Sequence, residues 1–228
     1  MMLTLHHLQH SQSFRIVWLL EELNIPYELK IYPRDPVSGL APTEYKALHP
    51  AGTAPVISDG DVVLAETNAI VDYILDKYEP TPRLRPAKES PERVPYLYWF
   101  NAGQGSLMPM LLMVFIINKM TEKSPESIQQ EVKTLTQSAM EGFSIPRIQA
   151  LLKLMDEHLI EQDYLAGETL TAADIVLSFE LQMLKTMPFI NLPESYPHIF
   201  NYIQHIESLA SFQRAVEKSG DFQSTLTK

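Results

Sequence analysis

Hydrophobic and polar residues alternate in two different ways along the first 80 residues of the chain. Short segments have the two-residue period of strands, and the segments between them have the wider spacing of helices. The predicted elements, in order, are a strand at 3–8, a helix at 14–23, a strand at 27–32, a helix at 43–48, strands at 55–58 and 62–65, and a helix ending near 78. The Asp59-Gly60 pair between the last two strands is typical of a hairpin turn. The unit is therefore predicted to fold in the order β-α-β-α-β-β-α.

A helical pattern without strands fills the rest of the chain. Segment 79–95 is rich in proline, which fixes the backbone and removes hydrogen-bond donors, so it predicts a stiff linker. Helical spacing then covers 94–119, 125–158, 171–187 and 196–209, and Pro146 is expected to break the second of these. We therefore predict an α+β architecture with a first domain at 1–80, a linker at 81–92 and an all-helical domain at 93–228.

One helix start is specified by a local motif. Thr171 and Asp174 have the spacing of a capping box, and Leu170 and Ile175 have the spacing of the hydrophobic staple that accompanies it. A cap of this kind contributes about 1 kcal/mol to stability. We therefore expect Asp174 to serve folding and not chemistry.

The composition narrows the possible chemistry. The chain has 228 residues, a formal net charge of -10 and no cysteine. An acidic chain lacks the positive field that nucleic acids require, so no nucleic-acid partner is expected. Without cysteine the chain forms no disulfide and offers no thiol nucleophile of its own, which fits a cytoplasmic protein.

Other common sites are not expected. The longest apolar stretch, 107–117, is shorter than the roughly 18 residues that cross a bilayer, so no membrane span or targeting segment is predicted. No glycine pattern indicates a nucleotide cofactor. His6 and His7 point to opposite faces of a strand and cannot chelate together, so they and His10 are expected at the surface or lining a site, with no metal.

Several segments together resemble the glutathione transferases. They are the strand and helix order, the segment 52–57 (Gly-Thr-Ala-Pro-Val-Ile), Glu66-Thr67 at a helix start, the Thr171–Asp174 box, and the segment 11–23, which looks like the first helix of serine-type bacterial and fungal members. The resemblance covers the whole chain. It implies a thioredoxin-like N-terminal domain that binds glutathione, and a helical domain that forms the pocket for an apolar electrophile and the contacts of a homodimer. Glutathione is then a co-substrate, and no cofactor is expected.

The resemblance also implies where glutathione binds. Ala54-Pro55 is expected to be a cis peptide bond, with Ala54 pairing to the cysteinyl backbone of the tripeptide, as an extended peptide pairs with a sheet edge. Thr67 is expected to cap a helix whose N-terminus accepts the γ-glutamyl carboxylate, and Glu66 to meet the γ-glutamyl ammonium group. Read without the resemblance, the same residues describe an ordinary edge-strand proline and a plain helix cap.

The bound thiol needs a group that keeps it ionised, because a free thiol has a pKa near 8.5. The first tyrosine is Tyr27 and there is no cysteine, so Ser11 and Ser13 are the hydroxyl donors available after the first strand. Ser11 matches the family position, whereas Ser13 is better explained as the N-cap of the first helix. Arg15 is expected to add positive field to the site.

Some assignments stay open. Many relatives have a basic residue where this chain has Thr53, so the partner of the glycyl carboxylate is open among Arg34, Lys46 and His49. Gln104, with Asn101 one turn before it, is expected to face the glutathione site, and the apolar stretch 108–116 is either helix core or a wall of the electrophile pocket. We therefore expect a transferase that joins glutathione to apolar electrophiles. The alternatives are a glutathione-dependent peroxidase and a non-catalytic ligand-binding or scaffold protein of the same fold.

Overall fold

The computed structural model describes residues 2–79, 81–187 and 189–222. Its N-terminal unit contains β1 (Thr4–Leu8), α1 (Phe14–Leu23), β2 (Glu28–Tyr32), α2 (Thr43–Lys46), β3 (Val56–Asp59), β4 (Val62–Ala65) and α3 (Thr67–Tyr78). The strands form one sheet in the order β2-β1-β3-β4. The β1–β2 pair is parallel and the other two pairs are antiparallel. The predicted order of elements is confirmed, with ends that differ by one or two residues.

The register of the sheet brings three loops to the same end. Val56, the first residue of β3, lies opposite His6 of β1 and Ala65 of β4. Because both of these pairs are antiparallel, the loop that follows β1, the residues that precede β3 and the residues that follow β4 all lie beyond this end of the sheet. Helices α1 and α3 both begin there, so their N-termini point toward the same region.

The helical part follows a segment without helix or strand among its described residues. It contains α4 (Arg93–Ala102), α5 (Met108–Lys123), α6 (Gln129–Ala139), α7 (Ile145–His158), α8 (Ala172–Leu184), α9 (Leu192–Ser195), α10 (Pro197–Ser208) and α11 (Ala210–Ser219). π-Helical turns join α4 to α5 at Gly103–Leu107 and α6 to α7 at Met140–Ser144. The break expected at Pro146 therefore comes just before it, because proline fits the first turn of the helix it begins. The sequence reading missed α9 and α11.

Helix α1 connects the two parts of the molecule. Its buried residues pack between the sheet, α8 and α11, and Trp18 Nε1 donates a 3.0 Å hydrogen bond to Ser211 Oγ of α11. Phe14 packs edge-on against Phe212 of α11. Below them, Lys218 Nζ lies 2.6 Å from Glu21 Oε1. Because α11 packs along α1, the end of α11 lies near the loop between β1 and α1.

The Thr171 capping box is present at the start of α8, and its carboxylate has more partners than a cap requires. Asp174 is fully buried and accepts hydrogen bonds from the backbone N–H groups of Leu165 and Thr171 and from the hydroxyls of Thr171 and Tyr202, over 2.6–2.8 Å. Burial raises the pKa of Asp174, and these hydrogen bonds oppose the rise. The residue joins α8, α10 and the loop before α8.

The apolar stretch 107–117 is too short to cross a bilayer, but by length and composition alone the helical run that contains it is long and apolar enough. Residues Arg93–Lys123 form one continuous helical run of 31 residues, which passes that test because the π-turn joins two apolar helices end to end. Only 39% of its apolar window is buried inside the chain. The exposed apolar side chains of this run are Val94, Leu97, Tyr98, Leu112, Met113, Phe115, Ile116 and Met120.

Candidate active site

Ser11 lies in the loop after β1, at the end of the sheet where the three loops meet. Its side chain is buried, and its hydroxyl donates a 2.7 Å hydrogen bond to the carbonyl oxygen of Leu8. Ser11 Oγ also lies 2.8 Å from Ser13 Oγ and accepts a 3.2 Å hydrogen bond from the Ser13 N–H. For Ser11 to donate to a bound thiolate, its proton must turn away from these internal acceptors.

Ser13 occupies the N-cap position of α1, as expected, but its side chain makes no capping hydrogen bond. Its hydroxyl instead lies 2.8 Å from His7 Nδ1 and 3.1 Å from the Leu8 carbonyl oxygen. The interpretation of the Ser13 hydroxyl as a helix cap is therefore wrong, because β1 and the loop offer it buried partners. The hydroxyls of Ser11 and Ser13 are therefore hydrogen-bonded to each other.

The Ala54-Pro55 bond is cis, which confirms the expectation for this segment. Ala54 is half-buried and packs against the small cluster that includes Leu8 and Ala65, while Thr53 is exposed. The β3–β4 pairing ends with Val56 opposite Ala65, so Ala54-Pro55 and Glu66-Thr67 continue from the same end of the two strands. Segment 53–55 and the start of α3 therefore both lie beyond this end of the sheet.

The start of α3 differs in one respect from the prediction. Glu66, and not Thr67, is the N-cap residue, and Glu66 has a φ of 76°, in the left-handed region that is costly for a residue with a Cβ atom. Thr67 is the first helical residue and is buried, whereas the Glu66 side chain is exposed. At this corner the exposed Glu66 carboxylate is an acceptor, and the N–H groups of the first turn, which have no partner within the helix, are donors.

Arg15 points away from solvent. Its guanidinium group is fully buried, with Nη2 at 2.9 Å from Glu180 Oε2 of α8. Burial lowers the pKa of Arg15, with Glu180 opposing, and burial raises the pKa of Glu180 to about 7, with Arg15 opposing. Because the two charges offset each other, this geometry weighs against the expected contribution of Arg15 to the field at a bound thiol. That role stays a prediction.

The three residues that could bind the glycyl carboxylate of glutathione differ in how many hydrogen bonds they already make within the protein. Arg34 donates to the carbonyl oxygens of Gln9, His10 and Gly39, at 2.9–3.0 Å. His49 is half-buried, and its Nδ1 accepts a 3.2 Å hydrogen bond from the Ala51 N–H. Lys46 is exposed beside Gly52. Arg34 thus holds the loop before Ser11, which leaves His49 and Lys46 beside the segment that precedes Ala54.

Gln104 connects the helical part to the loop between β1 and α1, residues 9–13, which we call the serine loop. It lies in the π-turn between α4 and α5, and its Nε2 donates a 3.2 Å hydrogen bond to Oε1 of Gln12, the residue after Ser11. The structure therefore brings the Gln104 side chain to the loop that carries Ser11. In the apolar stretch, Met108, Leu111 and Val114 are buried core, while Met113 and Phe115 are exposed. A wall of the electrophile pocket in this stretch stays a prediction.

The histidines of β1 are not surface residues. His6 is buried between Tyr32 and Ser58, and burial, aided by Lys30, lowers its pKa. His7 is buried on the opposite face, with Nε2 at 3.3 Å from Asp221 Oδ2. Within the part of the chain that the structure describes, no group of three or more metal-ligating side chains comes together.

Sequence reasoning missed two residues of this region, Asp221 and Gln12. Asp221 follows α11, and both of its oxygens accept from the His10 N–H, at 3.0 and 3.2 Å. Its separation from His10 is 211 residues, so no local pattern links them. A cavity of about 650 Å³ lies between the linker and the α7–α8 loop, and none of the predicted site residues lines it.

The comparisons with known proteins agree with this geometry. The family described as glutathione S-transferase, N-terminal domain, matches residues 11–77, and the glutathione S-transferase C-terminal domain matches residues 107–210. Glutathione S-transferase 3 of Schizosaccharomyces pombe is 31% identical, over 99% of this chain and 91% of the relative. Glutathione S-transferase 1 of Saccharomyces cerevisiae is 30% identical, over 94% of each chain. A solved glutathione S-transferase from Actinobacillus pleuropneumoniae is 35% identical with a TM-score of 0.76, over 96% of this chain and 94% of that one.

The chain belongs to the glutathione transferase family. Its N-terminal unit is the thioredoxin-like glutathione-binding domain of that family, and its C-terminal unit is the helical domain. It is a glutathione transferase, with glutathione as co-substrate.

Proposed function

We propose that this protein transfers glutathione to apolar electrophiles and that the Ser11 hydroxyl stabilises the glutathione thiolate. The observation that supports this most directly is the convergence of three features beyond one end of the sheet. These features are the buried Ser11 hydroxyl, the segment that contains Ala54 and the helix start at Glu66-Thr67. The hydroxyl suits the thiol of glutathione, and the extended backbone suits its peptide backbone. The helix start suits its γ-glutamyl carboxylate.

The chemistry needs a lowered thiol pKa. At pH 7 only a few per cent of a thiol with pKa near 8.5 is ionised, and a shift of about two units is worth roughly 2.7 kcal/mol of thiolate stabilisation. A hydroxyl donor at the start of α1 can contribute to this, because donors aimed at the charged form of a group favour that form. The sulfur then attacks the electrophile, and the protein supplies orientation and charge stabilisation.

The electrophile is proposed to bind against the helical domain, near the contact between Gln104 and Gln12. The methionine side chains of α5 suit apolar compounds of varied shape. Of the residues near Thr53, we propose His49 as the partner of the glycyl carboxylate, with Lys46 beside it. The location in the cytoplasm and a role in detoxification are part of the same proposal.

The exposed apolar face of α4 and α5 is proposed to be covered by a second copy of the chain. Most of the apolar window of this helical run is not buried within one chain. Contiguous exposed apolar surface of this kind marks an interaction site.

The Ser11→Ala variant tests the proposed thiolate donor. Bound thiolate is measured by its ultraviolet absorbance as pH is varied, together with turnover of a chlorodinitrobenzene. We expect the pH midpoint of thiolate formation to rise by about one unit or more, equivalent to at least a tenfold smaller thiolate fraction at low pH. Ser106→Ala, an exposed serine in the same π-turn as Gln104, is the matched control. An unchanged midpoint in Ser11→Ala would remove Ser11 from the mechanism.

A further inference from the structure

Four buried polar groups form a continuous line that begins at Ser11. Ser11 Oγ lies 2.8 Å from Ser13 Oγ, and Ser13 Oγ lies 2.8 Å from His7 Nδ1. On the other side of the ring, His7 Nε2 lies 3.3 Å from Asp221 Oδ2, an electrostatic contact and not an aligned hydrogen bond. These four residues come from β1, the β1–α1 loop, the N-cap of α1 and the segment after α11, and all are less than one-tenth exposed. We call them the relay.

The charges around the relay favour one starting arrangement of protons. The Asp221 carboxylate beside Nε2 favours a proton on that nitrogen, which leaves Nδ1 as an acceptor. Ser13 then donates to His7 Nδ1, and Ser11 donates to Ser13 Oγ in place of the Leu8 carbonyl. In this arrangement every hydroxyl points toward His7, and a lone pair of Ser11 Oγ is open to a thiol proton.

We propose that His7 receives the proton of the glutathione thiol through Ser11 and Ser13, with Asp221 as its counter-charge; this inference rests on the proposed role of Ser11. The S–H bond breaks as its proton moves to Ser11 Oγ. The Ser11 proton moves to Ser13 Oγ, and the Ser13 proton moves to His7 Nδ1. The electron pair of the broken bond stays on sulfur, so the products are a thiolate and an imidazolium, and no other reactant is consumed.

The same shift reverses every hydrogen bond of the relay. Afterwards His7 Nδ1 donates to Ser13, Ser13 donates to Ser11, and Ser11 donates to the sulfur. Hydrogen bonds that point the same way strengthen one another in a medium of low dielectric constant, so this arrangement favours the thiolate. The new positive charge on His7 faces a buried carboxylate, which offsets the cost of burying it.

The surroundings of the relay contain few other charges. His10 places its Nδ1 3.4 Å from Asp221 Oδ1, but its ring is largely exposed. Arg34 donates to the carbonyl oxygens of Gln9 and His10. His10 also has a φ of 53°, and its N–H donates to Asp221, so the carboxylate holds the residue before Ser11 in a left-handed conformation. Asp221 therefore acts on both His7 and the position of Ser11.

The test is a pH titration of glutathione bound to variants of the relay. His7→Asn keeps a polar group near the Nδ1 position but removes the base, and Asp221→Asn removes the charge with nearly the same shape. Each is expected to raise the pH midpoint of thiolate formation by about one unit, a tenfold change in thiolate fraction at low pH, with the KM for glutathione within about twofold. His6→Asn is the matched control, because it makes the same change one residue away on the opposite face of β1.

A double variant separates the relay from a structural effect. If His7 acts through Ser11, adding His7→Asn to Ser11→Ala gives no further shift of the midpoint. Additive shifts, or a raised KM and lowered thermal midpoint with an unchanged thiolate midpoint, would overturn the relay. A shift in Ser11→Ala without one in His7→Asn would overturn the relay and leave the proposed role of Ser11 standing. No shift in Ser11→Ala would overturn that role, and the relay with it.

Discussion

At the scale of single residues, the same side-chain chemistry has different consequences in different surroundings. Thr171 and Asp174 have the spacing of a cap and form one, and the Tyr202 hydroxyl and the Leu165 N–H also donate to Asp174. Ser13 has the position of a cap, yet its hydroxyl contacts His7. Local spacing predicts where a polar residue lies along a helix. It does not predict which distant donor or acceptor will reach it.

Asp174→Ala tests this difference. A helix cap alone is worth about 1 kcal/mol, but this change leaves several buried donors without an acceptor, at about 1–3 kcal/mol each before relaxation. We expect a loss of more than about 3 kcal/mol in the free energy of unfolding, measured by urea denaturation. Asp163→Ala, an aspartate outside this network, serves as the control. A loss near 1 kcal/mol would mean that the buried donors contribute little.

At the scale of elements, the prediction of the fold was good where local pattern decides. The strand alternation and the β3–β4 turn were sufficient for the order of the N-terminal unit. The helical spacing over 94–119 predicted most of the Arg93–Lys123 run, but not the π-turn inside it. Pro109 fits the first turn of α5, and the π-turn absorbs the irregularity before it. How α1 packs against α8 was not predictable, because Arg15 and Glu180 are far apart in sequence.

For the Arg15–Glu180 pair between α1 and α8, we predict different stabilities for the single variants and the double variant. Removing one partner of a buried pair costs about 3–5 kcal/mol, whereas replacing both with apolar residues is often neutral or stabilising. We expect Arg15→Met and Glu180→Leu each to lower the unfolding free energy by that amount at pH 8. The double variant is expected to recover most of the loss.

The pH dependence distinguishes the two single variants. Burial raises the pKa of Glu180 above its unfolded value, so a lone Glu180 in Arg15→Met is most stable when protonated and loses stability as pH rises through the raised pKa. The penalty of Arg15→Met is therefore expected to shrink at pH 5. The penalty of Glu180→Leu is expected to stay, because a lone arginine remains charged. Equal pH dependence in denaturation curves would contradict the assignment of the pair.

At the scale of the whole molecule, the resemblance to glutathione transferases predicted where the site lies. The register of the sheet gives the physical reason for that location. Ser11, Ala54 and Thr67 are well separated in sequence, but the antiparallel pairing of β3 with both neighbours brings their loops together. Asp221 and Gln104 reach the same region only through the packing of α11 on α1 and of the π-turn on the serine loop. Long-range packing of this kind leaves no local signal in a single sequence.

The proposed second copy on α4 and α5 predicts a dimer in solution. We expect sedimentation equilibrium to give twice the chain mass, and Phe115→Glu to shift the protein toward monomer by placing a charge in an apolar interface. Val37→Glu, at an exposed loop position away from this face, is the matched control. A monomeric parent protein, or an equally dimeric Phe115→Glu variant, would show that this face is not the interface.

A crystal structure of the glutathione complex shows directly whether the sulfur of glutathione lies against the Ser11 hydroxyl. We expect the sulfur within hydrogen-bonding distance of Ser11 Oγ and the cysteinyl backbone paired with Ala54. A sulfur that lies beyond contact with Ser11, with the tripeptide held elsewhere, would contradict this expectation.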